Sequence, residues 1–188
     1  MNPEWLTAIG TLGTFVVIAA SAAAALFQLR HMRGSNQIVA LTEVRETIES
    51  PSFQAAEYFI SELTKRYDDP AVREALLAPF FSTEFQPVRT VANFFETFGA
   101  LVKNGIVDEH IACDLWGGVV DRNWDALRPV IASRRENMGT TALWENFEYL
   151  AILSKNFIVK FPDGTLPRHL QRLPLPEPWP QSSKSNES

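Results

Sequence analysis

The sequence predicts an all-α fold, and three observations predict it. Apolar residues recur at spacings of three and four along most of the chain. No stretch sustains the alternation that a half-buried strand requires. Proline and glycine stand where helices start and stop, not inside alternating runs.

The first element is the longest. Residues 5–29 contain no charged side chain. As a helix they span roughly 37 Å, enough to cross a hydrocarbon core of about 30 Å. Ten large apolar side chains, from Leu6 to Leu29, contribute roughly −3 to −6 kcal/mol to insertion. The interspersed Thr, Gly and Ser offset part of this, although Thr and Ser hydroxyls can bond back to helix carbonyls in lipid. The segment therefore reads as a transmembrane helix. A cleaved signal peptide and a buried core helix are the competing readings. A signal peptide calls for a basic leader and a shorter apolar run of about 7–15 residues. A core helix of this length normally carries a polar face. Small residues four apart, Gly10 with Thr14 and Ala20 with Ala24, are spaced for close helix approach in lipid.

Basic residues set the expected orientation. No Lys or Arg precedes the span, and Arg30 and Arg33 form a collar after it. This places the C-terminal side in the cytoplasm and the short N-terminus outside, with Trp5 at headgroup level. The expected location is the cell (inner) membrane, crossed once.

After the collar, residues 30–49 read as a juxtamembrane helix carrying Ile38, Leu41, Val44 and Ile48, able to run on directly from the span, with Gly34-Ser35 as a weak point. Arg45 interrupts a strict heptad, so a coiled coil is poorly supported. A helical bundle then covers residues 50–161. Ser50-Pro51 pairs a capping hydroxyl with proline at the first helical position. That helix carries Phe53, Ala56, Phe59, Ile60 and Leu63 and ends near Tyr67. Asp69-Pro70 repeats the signal and starts a short helix to about Ala78, before Pro79. Residues 82–86 read as a loop.

Pro87 opens the most strongly patterned helix, through Val91, Phe94, Phe95, Phe98, Leu101 and Val102 to a stop at Gly105. Asp108 caps the next, which carries Ile111, Leu115 and Trp116. A break or kink is expected at Gly117-Gly118, and a bend at Pro129. The helix continues through Val120, Trp124, Leu127, Val130 and Ile131 toward Met138, and Gly139 stops it. The last helix is expected over 141–157, with Leu143, Trp144, Phe147, Leu150, Ala151 and Ile152 on its core face. Residues 162–188 form a proline-rich extended tail with a disordered end. Pro174, Pro176, Pro178 and Pro180 favour polyproline geometry. The tail reads as a strap across the domain anchored by Trp179, or as a docking peptide.

Composition bounds function. All 17 Lys and Arg lie at or after Arg30, with 21 of the 22 acids. The region beyond the span therefore carries a formal charge of −4, which argues against nucleic acid as a partner. Apart from the collar, it also argues against broad adhesion to anionic lipid. Cys113 is the only cysteine, so no intramolecular disulfide forms. The partners expected are the lipid bilayer, through the span, and a membrane protein or a second copy.

No catalytic signature appears: no phosphate loop, nucleotide glycine pattern or HExxH. His110, Cys113 and Asp114 are the nearest approach to a metal set, short of the three or four ligands zinc takes. Cys113 with His110 is no stronger as a nucleophile and base, because such spacing arises readily along a helix. No cofactor is implied. The candidate binding groups are Glu96, within Phe94-Phe95-Glu96-Thr97-Phe98, and Arg134 and Arg135. Glu145 and Glu148 flank Phe147. A carboxylate among aromatics needs a partner. These groups therefore read as a polar pocket, as ion pairs that fix helix register, or simply as solvated faces.

The stretches QLRHMRGSNQ, FFETFGALVKNGIVDE, WDALRPVIASRRE and WENFEYLA give the chain a resemblance to DUF4760, a domain of unknown function. The resemblance implies a short bacterial membrane protein with one N-terminal span and a helical cytoplasmic region. It implies no activity, cofactor or catalytic residue. The function expected is that of a membrane-anchored, non-catalytic interaction or regulatory module. The alternative is a small-ligand binder or enzyme using a pocket around Glu96 and Arg134/Arg135.

Overall fold

The computed structural model describes residues 3–76 and 82–176, and within them six α-helices and no strand. The expected end of the third helix at Ala78-Pro79, the Trp179 anchor and the polar C-terminal end lie outside these residues.

Helix α1 (Pro3–Glu49) is a single 47-residue helix. Gly34-Ser35 does not interrupt it, so the helix runs on directly from the apolar segment into residues 30–49. Glycine costs a helix only about 1 kcal/mol relative to alanine, which the intact ladder on either side absorbs. Residues 11–28 are exposed throughout. The helix meets the bundle only from Ala40 and Val44, which are buried, with Leu41 and Ile48 packed beside them. Ile38, expected on this face, is 66% exposed.

Helix α2 (Pro51–Thr64) starts as its sequence dictates. Ser50 Oγ accepts from Phe53 N at 3.2 Å, and Pro51 supplies no amide that would go unpaired. Phe53, Ala56 and Ile60 are buried, whereas Phe59 is 40% exposed. The helix ends at Thr64 and turns follow. There Tyr67 donates its hydroxyl to Ala126 O at 2.7 Å, and burial pushes its pKa up to about 12. Helix α3 (Pro70–Leu76) is capped by Asp69, whose Oδ1 accepts from Ala71 N at 2.9 Å.

Helix α4 (Gln86–Lys103) is the centre of the bundle, with Val88, Val91, Ala92, Phe95, Phe98, Gly99 and Val102 buried. It ends at Gly105, whose φ of 67° lies in the left-handed region that glycine enters without steric cost. Helix α5 (Glu109–Met138) is capped by Asp108, whose Oδ1 accepts from Ile111 N at 3.0 Å. It runs unbroken through Gly117-Gly118 and through Pro129. The expected break is absent because α5 packs along its length on α4 and α6, and that burial outweighs the weak propensity of two glycines. Gly139, at φ 62°, stops it as expected.

Helix α6 (Glu145–Lys160) starts four residues later than expected and ends three later. Its buried face is Phe147, Leu150, Ala151 and Ser154, and Ile152 is 54% exposed. Trp144 is buried but precedes the helix, with φ 56°.

The core is aromatic. Phe95 stacks on Phe147 with centroids 4.9 Å apart, and Trp124 meets Phe147 edge-on at 5.1 Å. Phe53 closes the cluster from α2, 4.9 Å from Phe94, and Phe98 meets Trp116 at 5.6 Å. Such pairs add about 0.5–1.5 kcal/mol each beyond their buried area. Where α4 crosses α6, a Cβ on Gly99 would overlap the backbone carbonyl of Asn146, so only glycine allows this approach. By contrast, nothing lies within 4 Å of a Cβ on Gly118. Gly99→Ala should therefore destabilise the fold by about 1–3 kcal/mol. Gly118→Ala should stabilise it by about 0.5–1 kcal/mol, with urea midpoints as the measurement.

Candidate functional site

Of the polar side chains singled out in the sequence, Glu96, Arg135, Glu145 and Glu148 gather at the start of α6. A helix leaves its first amides without intrahelical acceptors. Trp144, at the cap position, has no side chain able to supply one. Helix α4 supplies it instead. Glu96 Oε2 accepts from Phe147 N at 2.9 Å, and its Oε1 accepts from Asn146 Nδ2 at 2.8 Å. The carboxylate also lies at the positive end of the helix dipole, where a negative charge is favoured.

The same face of α4 contributes two further contacts. Asn93 Oδ1 accepts from the indole of Trp144 at 2.8 Å. Lys103 Nζ donates to Glu145 Oε1 at 3.1 Å and to Asn146 Oδ1 at 3.3 Å. Asn93, Glu96 and Lys103 lie three and seven residues apart, one stripe of the helix. Gly99 lies between Glu96 and Lys103 and lets that stripe come close.

Arg135 holds the same segment from α5. Its Nε donates to Leu143 O at 2.9 Å, and its Nη1 to Glu148 Oε2 at 2.6 Å, with the Arg135 side chain only 17% exposed. The structure thus brings Glu96 and Arg135 to one stretch, residues 143–148. Arg134 goes elsewhere. It is buried with its guanidinium 4.1 Å from the centre of the Phe85 ring, at the start of α4. Desolvation lowers its pKa from the ordinary arginine value. Arg30 and Arg33, the expected orienting residues, lie within α1 immediately after the apolar segment.

His110, Cys113 and Asp114 engage three different neighbours. His110 packs edge-on against Phe157 at 5.1 Å. Cys113 is a buried free thiol whose pKa burial raises. Asp114 accepts from Thr165 Oγ1 at 2.7 Å, which ties the start of the tail to α5. Among the described residues no group of three or more His, Cys, Asp or Glu is placed to hold a metal ion.

The described grooves lie away from Glu96, Arg134 and Arg135. One of about 380 Å³ separates α1 from α5 and is lined by Ile38, Leu41, Leu115 and Trp116 with a polar rim. Another, of about 290 Å³, follows the α2–α5 crossing and has the larger polar share among the described grooves, with Glu57, Ser61, Arg122 and Asn123 among its walls. Sequence reasoning missed Asn93 and Lys103, which the spacing with Glu96 signalled. It also missed the pairing of Glu57 with Asn123, which no local pattern announces.

At its N-terminal side the chain has one helix long and apolar enough to cross a membrane. Within α1, Thr11–Gln28 has a mean hydropathy of 1.7 and is entirely unburied, compatible with a single span or with a signal sequence.

Removal of the α6 cap should be measurable. Glu96→Ala should cost about 1–3 kcal/mol in urea denaturation. Glu96→Gln, which retains an acceptor oxygen, should cost less than half as much.

No curated protein and no solved structure matches the chain. A family model does, over residues 15–153: DUF4760, a domain of unknown function. The match begins inside the apolar part of α1 and ends in α6, so it takes in the whole α4–α6 seam. This chain belongs to the DUF4760 family.

Proposed function

We propose that the chain is a single-pass protein of the cell (inner) membrane, with a short outer N-terminus and a cytoplasmic bundle that serves as a non-catalytic interaction or regulatory module. The observation that carries this reading is the bare apolar length of α1. Leu12, Phe15, Val17, Leu26 and Phe27 are each more than 60% exposed, and no other element among the described residues covers them. In water such a surface is a liability, whereas a bilayer supplies the missing apolar contact. The 18 residues of Thr11–Gln28 span roughly 27 Å, close to the hydrocarbon thickness.

Three points favour an anchor over a cleaved leader. The apolar run exceeds the usual signal-peptide core, and α1 continues from it without a break into residues packed on the bundle. The family match also includes part of the apolar run. The orientation rests on Arg30 and Arg33. Tethering would confine the bundle to one membrane face and raise its effective concentration toward partners there. A non-catalytic role is supported by the commitment of Glu96 and Arg135 to helix ends and of Arg134 to Phe85. The second reading, a ligand pocket around Glu96 and Arg134/Arg135, needs those groups released from these contacts.

Two experiments test the topology. The intact protein should stay in the membrane pellet after alkaline carbonate extraction, and Val17→Arg, costing about 3 kcal/mol or more at mid-span, should release it. A reporter that is active only in the cytoplasm, fused after Ser188, should be active. Activity instead of a periplasm-dependent reporter at that position reverses the orientation.

A further inference from the structure

The polar groove at the α2–α5 crossing has the makings of a small-molecule site, and its volume of about 290 Å³ is at the small end for one. Its most buried polar group is Asn123, only 4% exposed. Both hydrogens of its side-chain amide are committed, to Glu57 Oε1 at 2.5 Å and to Val119 O at 2.9 Å. These bonds fix which way the amide is turned, and they leave Oδ1 an acceptor with no donor among the described residues. Glu57, half-buried, spends Oε1 on that contact and has Oε2 to offer. The Ser61 hydroxyl, on the same wall, likewise has no side-chain partner among the described residues.

Beside these acceptors stands a cation. An Arg122 guanidinium nitrogen is 3.9 Å from Glu57 Oε1, inside ion-pair range but beyond hydrogen-bond reach. Its planar set of donors therefore remains available for a carboxylate. Tyr58, next to Glu57, is 69% exposed at the mouth.

These groups select a ligand by charge. An unused carboxylate oxygen, an unused amide carbonyl and a hydroxyl together suit a primary ammonium, which has three N–H donors. A plain amine would meet Arg122 as a like charge, and a plain carboxylate would meet Glu57 so. A molecule carrying an ammonium and a carboxylate on one carbon satisfies both and leaves the site neutral. We propose that this groove binds a free α-amino acid, with its ammonium on Glu57 and Asn123 and its carboxylate on Arg122. The site is separate from the α4–α6 seam and does not rest on the topology proposed above.

The test is calorimetric titration of the full-length protein in detergent micelles with each of the proteinogenic L-amino acids to about 10 mM, with propylamine and propionate as single-charge controls. At least one amino acid should bind with Kd below about 1 mM, and neither control should bind. Glu57→Gln and Arg122→Gln should each weaken that binding tenfold or more. Arg122 is largely exposed, so its variant keeps the fold even if Glu57→Gln disturbs the Asn123 contact. The proposal is overturned if no amino acid binds, if propylamine binds as well as the amino acid, or if Arg122→Gln leaves the affinity unchanged.

Discussion

A helix whose first residue offers no capping side chain must find acceptors elsewhere, and α6 finds them on α4. The carboxylate of Glu96 occupies the position that a serine or aspartate at the cap would normally fill. Gly99, one turn along, removes the side chain that would hold the two helices apart. The two features work together. Without the close approach Glu96 could not reach the Phe147 amide, and without the carboxylate the close approach would bury an unpaired donor. Arg135 adds a second fastening from α5 to the same segment. Residues 143–148 are thereby held by two helices that come from different parts of the chain.

This constraint places the aromatic core. Phe147 is the third residue of α6, and its ring lies between Phe95 of α4 and Trp124 of α5. The backbone amide bound by Glu96 belongs to that same residue. One residue therefore carries both the polar anchor and the central ring, so a shift of α6 by a single position would lose both. Hydrogen bonding here sets the register, and burial of the apolar core, with Phe95, Phe98 and Phe147 among its largest side chains, supplies the hydrophobic stabilisation.

The helices were legible in the sequence because their signals are local. Ser50-Pro51, Asp69-Pro70, Asp108, Gly105 and Gly139 each act within one turn, and each stands where expected. Where reading and structure part, tertiary contact overrides propensity. Gly117-Gly118 reads as a break or kink, yet the helix continues across it. The start of α6 was placed too early because Trp144 fits the apolar pattern, whereas its burial comes from the turn before the helix. The need of Glu96 for a partner was legible from the phenylalanines around it. The partner itself, a backbone amide 51 residues away, was not. The Glu57–Asn123 contact spans 66 residues and leaves no periodic trace.

The unbroken course of α1 has a geometric consequence. No joint separates the apolar segment from Ala40, where the helix first meets the bundle. The intervening turns act as a spacer of roughly 18 Å whose length also sets an angle. Each residue added or removed there would swing the head by about 100° around the rod and shift it by about 1.5 Å. Only changes near whole numbers of turns, about seven residues for two, would keep the same side of the head turned in the same direction around the rod.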